Sequence, residues 1–176
     1  MMMRRILMII SPRDFRDEEL LEPKEVLKKA GLDVVVASVT SETCVGMFGT
    51  NVKPDHIIDE LNSGEFDAVV VVGGAGTPIL NKYDKVLQIL RDAKDQNKIL
   101  AAICLGPIVM AKAGVLKGKK ATVFSSGISK IEEGGAQYVS DSVVIDGRII
   151  TANGPQSAKM FGNAIVNALE YASLTS

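Results

Sequence analysis

Cys104 is the residue of this chain whose type and position most favour covalent chemistry. The small and aliphatic residues at 98–103 are typical of a fully buried strand, and residues 108–113 favour a helix that ends at Gly114. A thiol between such a strand and helix lies at the carboxyl edge of an open α/β sheet, where these sheets carry their chemistry. Because a helix N-terminus favours negative charge, we expect the pKa of the Cys104 thiol to be lowered.

The turn after Cys104 has the composition of a nucleophile elbow. Its side chain stands clear of the sheet edge only if the chain turns sharply, and such a turn needs a small residue two positions later, here Gly106. The nucleophile's backbone is often strained in this arrangement, and the amide of Leu105 would point toward a developing oxyanion. The alternative is an inert buried cysteine that packs as a small hydrophobe. Spacing alone does not choose between the two hypotheses.

A glycine-rich turn at 73–76 is the second candidate site. It directly follows a strong predicted strand at 67–72, and such a turn can present backbone amides to an anion. It lacks the G-x-G-x-x-G spacing of a dinucleotide site, so the sequence indicates no nucleotide cofactor. The alternative is a plain tight turn.

Four acidic residues stand at the start of the first predicted helix: Asp17, Glu18, Glu19 and Glu22. Negative charge is favourable at a helix N-terminus, and this effect accounts for most of them. One of these carboxyl groups could still point into the cleft beside the thiol. Burial there would raise its pKa and allow it to donate a hydrogen bond to a thiolate.

The single histidine and the second cysteine are weaker candidates for a catalytic role. His56 lies in a polar segment, where an exposed or capping role is expected, and a Cys-His pair forms only if His56 folds into the site. Cys44 is expected in a loop or edge strand as a partly exposed thiol without a role. Because Cys44 and Cys104 stand 60 positions apart, they form neither a metal-binding motif nor a disulfide framework. We therefore expect no metal and a reducing, cytoplasmic location.

Composition sets the class of protein. The chain has 176 residues, 47% of them hydrophobic, and a net charge of −1, which predicts one globular domain over 1–176. This charge leaves no basic surface for nucleic acid or for an anionic membrane. No apolar run approaches the roughly 20 residues that span a bilayer, so we expect no membrane partner.

Strands and helices alternate along the chain, which predicts an α/β fold with a doubly wound, mostly parallel sheet. Asp146-Gly147 is a strong hairpin signal between the last two strands. The predicted strands are 4–10, 32–39, 67–72, 98–103, 121–124, 137–139, 142–145 and 148–151. The predicted helices are 16–30, 84–97, 108–114, 125–133 and 156–172, with a polar loop at 11–15, weak strand signals at 40–54 and a short helical turn from Pro54 to Leu61.

Several stretches resemble the ThiJ/PfpI superfamily, which includes deglycases and intracellular proteases. They are Ala-Ala-Ile-Cys-Leu-Gly-Pro at 101–107, Ala-Gly-Val-Leu-Lys-Gly-Lys at 113–119, Val-Gly-Gly at 72–74, Glu-Leu-Leu-Glu-Pro at 19–23 and the segment 146–155. The resemblance implies a flavodoxin-like three-layer sandwich with a nucleophilic Cys104. It also implies Glu19 as the acidic partner of the cysteine, oxyanion-hole amides from Gly74 and Leu105, and a homodimer or larger assembly.

Two positions depart from the pattern of the superfamily. The protease-like members carry a histidine directly after the cysteine, where this chain has Leu105. The deglycase-like members carry a histidine in the following strand, and that position here is Phe124. Neither of these imidazoles is present, so a general base for proteolysis or for glyoxal chemistry has no obvious donor, which argues against peptidase activity.

Three hypotheses follow for function. The first is an enzyme in which Cys104 attacks a small carbonyl or acyl electrophile and Glu19 is the acid/base. The second is a redox-responsive stress or chaperone-type protein in which an oxidant converts Cys104 to sulfinic acid without turnover. The third is a binding or scaffold protein without activity.

Overall fold

Short strands rich in Val, Ile and Ala alternate with helices along this chain, as its apolar pattern predicts. A computed structural model describes residues 4–175. The strands in this part of the chain are β1 (Arg5–Ile9), β2 (Arg13–Phe15), β3 (Asp33–Ser38), β4 (Cys44–Gly46), β5 (Asn51–Val52), β6 (His56–Ile57), β7 (Ala68–Val71), β8 (Ile99–Ile103), β9 (Lys120–Ala121), β10 (Gln137–Tyr138), β11 (Val143–Asp146) and β12 (Ile149–Ala152). The helices there are α1 (Asp17–Lys29), α2 (Asp84–Asp95), α3 (Gly106–Ala113), α4 (Ile128–Glu133) and α5 (Ala158–Thr175).

Seven strands form the central sheet, in the order β11-β12-β8-β7-β1-β3-β6. Neighbouring strands are parallel except for the antiparallel pair β11 and β12, which the turn at Gly147 (φ 60°) connects. The predicted α/β fold with a mostly parallel sheet is confirmed, and so is the hairpin at Asp146-Gly147. Because β7 and β8 are adjacent and parallel, the turns that follow them lie side by side at the carboxyl edge.

Helices cover both faces of this sheet, so the molecule has three layers. Alternate residues of β1, β7 and β8 point to opposite faces, because side chains alternate along a strand. One core joins Leu7, Val69 and Leu100 to side chains of α2, α3 and α4. The other joins Met8, Val70 and Ala101 to side chains of α1 and α5, among them Leu20 and Phe161.

A second, three-stranded sheet, in the order β2-β4-β5, lies beside the start of α1. Its strand β2 occupies residues 13–15, which we predicted to be loop, because a polar three-residue strand carries no alternation that the sequence reveals. The segment 40–54 does hold two short strands, β4 and β5. The tip between them, residues 47–50, reaches α1 and the glycine turn.

Two other predicted elements differ from the structure. The helical turn predicted from Pro54 consists of strand β6 followed by a single 3-10 turn, Ile58–Glu60. The strand predicted at 121–124 is limited to β9, which pairs with β10 outside the central sheet. Within residues 4–175 no helix combines the length and the apolar composition that crossing a membrane requires.

Candidate active site

The backbone turns sharply at Cys104, between β8 and α3. Cys104 has φ 61°, in the left-handed region that non-glycine residues rarely occupy. Two backbone hydrogen bonds hold this residue in place. The Cys104 N–H donates to the Ala152 carbonyl at 2.9 Å, and the Cys104 carbonyl accepts from the Phe124 N–H at 2.9 Å. A Cβ at Gly106 would stand 2.5 Å from the Val71 carbonyl oxygen, so the turn requires glycine there, as predicted. The sharp turn and its strained cysteine match the predicted geometry.

Glu19 lies in the first turn of α1 and points at the cysteine. The exposed fraction of Glu19 is 0%, and the exposed fraction of Cys104 is 7%. A Cβ added to Gly73 would overlap Glu19 Oε1 and would stand 2.6 Å from Cys104 Cβ, so the carboxyl and the cysteine share one small space beside this glycine. Within the described residues, neither Glu19 carboxyl oxygen has a partner that meets hydrogen-bond geometry. The thiol is thus the group available to exchange a proton with this buried carboxyl.

Burial governs the proton affinity of both groups. It raises the pKa of the Glu19 carboxyl to about 8, against opposing effects from Cys104 and the Arg16 charge. It also raises the pKa of the Cys104 thiol to about 12, and the negative charge of Glu19 acts in the same direction. Our prediction of a lowered thiol pKa is therefore wrong. A helix N-terminus contributes only about 0.3–1 kcal/mol in ordinary settings, less than desolvation and a neighbouring carboxylate.

Two backbone amides face the sulfur, and they are those predicted for an oxyanion hole. The amides of Leu105 and Gly74 both favour the thiolate and so oppose the rise in the Cys104 pKa. Gly74 has φ 131°, and a Cβ there would overlap the backbone nitrogen of Arg16. The glycine turn is therefore packed against the segment before α1. The Arg16 N–H donates to the Gly73 carbonyl at 2.7 Å, which secures this packing. The glycine turn is thus part of the site wall rather than an isolated tight turn.

Arg16 and Phe48 complete the surroundings, and neither was among the predicted site residues. The Arg16 guanidinium bonds the Glu18 carboxylate at 2.9 Å and lies 4.6 Å from the centre of the Phe48 ring. Its positive charge lowers the pKa of Glu19 and is itself favoured by Glu18, Glu19 and Cys104. A basic residue directly before an acidic helix start was a signal for Arg16, whereas Phe48 reaches the site only through tertiary structure.

The acidic residues of α1 have separate roles. Asp17 accepts hydrogen bonds from the Phe48 and Thr50 amides, each at 2.9 Å, and so anchors the 47–50 tip to the helix. These bonds lower the pKa of Asp17 despite the opposing effect of burial. Glu18 holds Arg16, and Glu22 is partly exposed. The helix start therefore holds one buried carboxyl without a hydrogen-bond partner, Glu19, and it is the one beside the thiol.

His56 and Cys44, the other candidates considered from the sequence, lie away from the Cys104 site. His56 is on edge strand β6, where its Nδ1 is 3.2 Å from Glu60 Oε2 and its side chain is 45% exposed. Cys44 is fully buried in the middle strand of the small sheet, so the predicted partly exposed thiol is wrong, and burial raises its pKa. Phe124 is 43% exposed next to the cysteine turn. Residues 4–175 contain no group of three or more His, Cys, Asp or Glu that could hold a metal ion.

Comparisons with known proteins show the family and the fold of this chain. The sequence model of the DJ-1/PfpI family matches residues 4–168. Deglycase PfpI of Pyrococcus furiosus is 34% identical over 85% of this chain and 90% of its own length. The glutathione-independent glyoxalase DJR-1.2 of Caenorhabditis elegans is 30% identical over 93% of this chain and 88% of its own length. The crystal structure of a ThiJ/PfpI domain protein from Brachyspira murdochii superimposes with a TM-score of 0.93 at 36% identity, covering 96% of this chain and 98% of that chain.

Proposed function

This chain belongs to the DJ-1/PfpI family, and from that premise we propose that it is a cysteine-dependent enzyme acting on a small carbonyl compound. Cys104 is the nucleophile, Glu19 is the acid/base, and the amides of Gly74 and Leu105 hold the oxyanion. Relatives named as a deglycase and as a glutathione-independent glyoxalase support a carbonyl substrate. A 2-oxoaldehyde such as methylglyoxal is the simplest substrate of this kind.

The reaction begins with one proton shared by the thiol and the carboxyl. As the sulfur attacks the aldehyde carbon, the thiol proton passes to the Glu19 carboxylate and an S–C bond forms. The π electrons of the carbonyl move to its oxygen, which the Gly74 and Leu105 amides stabilise. Glu19 then returns the proton to this oxygen and leaves a neutral hemithioacetal.

With a 2-oxoaldehyde the reaction continues without an external oxidant. Glu19 removes the C1 hydrogen as a proton, and the proton of the C1 hydroxyl passes to the C2 oxygen, which gives an enediol. Glu19 then delivers the first proton to C2 and the C1–O bond becomes a carbonyl, so the hemithioacetal becomes the thioester of a 2-hydroxy acid. Water then cleaves the S–C bond, which releases the hydroxy acid and restores the thiol. Overall the aldehyde carbon is oxidised, the neighbouring ketone is reduced and one water is consumed.

The observation that carries this proposal is the buried Glu19 carboxyl beside Cys104, without another hydrogen-bond partner. A pKa of about 8 allows Glu19 to accept and donate a proton near neutral pH, so the missing imidazoles at Leu105 and Phe124 are not required. Peptidase activity is not part of this proposal, because Leu105 stands where the protease-like members carry a histidine.

Turnover of methylglyoxal to lactate tests the proposal. We expect Cys104→Ala to reduce kcat/KM at least ~10²-fold, because the covalent step is lost. Cys44→Ala is the matched control, since it removes the other thiol and leaves the site unchanged. Equal rates for Cys104→Ala and the unmodified chain would contradict the proposed function.

The redox alternative is supported by the same carboxyl, which could donate a hydrogen bond to a Cys104 sulfinate. It is opposed by the raised pKa of the thiol, because the thiolate is the form that peroxide oxidises. Intact mass after mild peroxide separates the two functions. A gain of two oxygens confined to Cys104, without methylglyoxal turnover, would favour the redox protein.

A further inference from the structure

A cleft of about 700 Å³ opens beside the cysteine turn, on the face of the sheet that α3 and α4 cover. Such a volume suits a small organic ligand. Its walls come from the 3-10 turn Thr77–Lys82, from α3 and from the segment 126–134. The lining residues include Asn81, Lys82, Leu105, Lys112, Lys130 and Glu133.

The charge of this cleft is positive and largely uncompensated. Three lysines face one carboxylate, and that carboxylate, Glu133, lies 3.7 Å from Lys130. Lys82 and Lys112 take part in none of the salt bridges among the described residues. Two cations on separate elements therefore face the same space without a counter-ion among residues 4–172. An anionic ligand would supply it.

The cleft adjoins the nucleophile. Leu105 forms part of its wall, and the amide of the same residue faces the Cys104 sulfur. Cys104 itself does not line the cleft, so a ligand held among the lysines would extend past Leu105 to reach the sulfur. Asn81 also lines the cleft, and its Oδ1 is shielded from solvent without a hydrogen-bond partner among the described residues.

We propose that this lysine-lined cleft binds the anionic end of the substrate. The substrate is then a small carbonyl compound that carries a phosphate or carboxylate group away from the reacting carbon. This inference rests on the proposed function and narrows it. A neutral 2-oxoaldehyde would use only the cysteine end of the site. An anionic one would also pair with Lys82 and Lys112 and so gain affinity.

The first test needs no turnover. Iodoacetamide and iodoacetate alkylate Cys104 and have similar size, but only iodoacetate is anionic. Mass spectrometry gives the rate at which each reagent alkylates Cys104, and each rate is divided by the rate of the same reagent with a free small thiol. The ratio of the two normalised rates is then compared between the unmodified chain and the double variant Lys82→Gln/Lys112→Gln. Removing two partly screened charges should lower the iodoacetate-to-iodoacetamide ratio about three- to tenfold. Lys94→Gln/Lys159→Gln removes the same charge from exposed sites on α2 and α5 and should leave the ratio unchanged.

The second test uses turnover. We expect higher kcat/KM for hydroxypyruvaldehyde phosphate or 4,5-dioxovalerate than for neutral methylglyoxal, and the better of the two identifies the anionic group. The cleft variant should lose this preference, so that its kcat/KM for the anionic compounds approaches its kcat/KM for methylglyoxal. If methylglyoxal is turned over but neither the preference nor the alkylation ratio depends on Lys82 and Lys112, the cleft proposal is overturned and the proposed function stands. If no carbonyl compound is turned over, the function fails, and the alkylation ratio still decides whether the cleft attracts anions.

Discussion

At the scale of single residues, the site depends on one acid and one thiol buried together. Glu19 and Cys104 both bind protons more tightly than in water, because burial penalises their charged forms. Neither group is reactive alone in this environment. The carboxyl becomes useful when it takes the thiol proton, and the thiol becomes nucleophilic when it gives that proton up. The pair, rather than the cysteine, is therefore the unit of the proposed chemistry.

Replacing Glu19 by Gln should separate thiol reactivity from turnover. The amide keeps the shape of the side chain but neither carries a charge nor accepts the thiol proton. We expect the iodoacetamide reaction of Cys104 to reach its half-maximal rate at a lower pH, because the Glu19 charge no longer opposes the thiolate. Turnover of methylglyoxal should fall at least ~10²-fold. Glu22→Gln serves as the control, and an unchanged pH profile in Glu19→Gln would refute the coupling.

The raised pKa of Glu19 also predicts how stability depends on pH. The carboxyl titrates near 4.5 when unfolded and at about 8 when folded, so the folded chain holds an extra proton between these values. Its stabilising contribution is complete below pH 4.5 and is lost as pH rises through about 8. The thermal midpoint should therefore fall between pH 5 and 8.5, and Glu19→Gln should flatten this decline. A midpoint that rises over this range, or the same slope in both proteins, would contradict the assignment.

At the scale of elements, the site is built where three segments meet without spare room. The turn after β7 packs between the cysteine turn and the segment before α1, and glycines permit this approach. The 47–50 tip is fixed to α1 through Asp17 and covers Arg16 with Phe48. The positions of Glu19 and the two amides therefore depend on close backbone packing.

Gly73→Ala tests this packing. The added Cβ would overlap Glu19 Oε1 and the Ile103 carbonyl oxygen, so either the carboxyl or the backbone must move. We expect a loss of about 1–3 kcal/mol in the free energy of unfolding, measured with urea, together with loss of methylglyoxal turnover. Gly64→Ala, whose Cβ would stand 3.3 Å from Asn62 Oδ1, should change neither by as much. Full activity in Gly73→Ala would show that the carboxyl does not need its present position.

At the scale of the whole molecule, one sheet joins residues from 5 to 152 and carries an apolar core on each face. This continuity supports the prediction of one domain over 1–176. We expect a single unfolding transition in calorimetry, with the calorimetric enthalpy equal to the van't Hoff enthalpy. Two resolved transitions would contradict it.

A homodimer or a larger homo-oligomer remains the predicted assembly. Ile145 and Met160, which are 58% and 56% exposed, line one apolar surface cleft between β11 and α5, and a contiguous apolar patch is typical of surfaces that associate. Sedimentation velocity at micromolar concentration should give twice the monomer mass of 18.8 kDa or a higher multiple of it. A single species at the monomer mass over a dilution series would rule the dimer out.

The sequence by itself determined the features that depend on local composition. Alternating apolar strands and helices predicted the α/β sheet, Asp146-Gly147 predicted the final hairpin, and Gly106 after Cys104 predicted the sharp turn. Local pattern sufficed because buried strands need runs of apolar residues and tight turns need glycine. The segment 13–15 lacked such a pattern, so its strand was missed.

Only the tertiary structure decided what the site residues experience. Cys104 has a raised pKa rather than a lowered one, because α1 brings the Glu19 carboxyl against it and the surrounding core removes water. The burial of Cys44, the stacking of Phe48 on Arg16 and the gathering of three lysines in one cleft likewise join segments distant in the chain. Desolvation and Coulomb interaction depend on distances in space, and spacing along the sequence does not contain them.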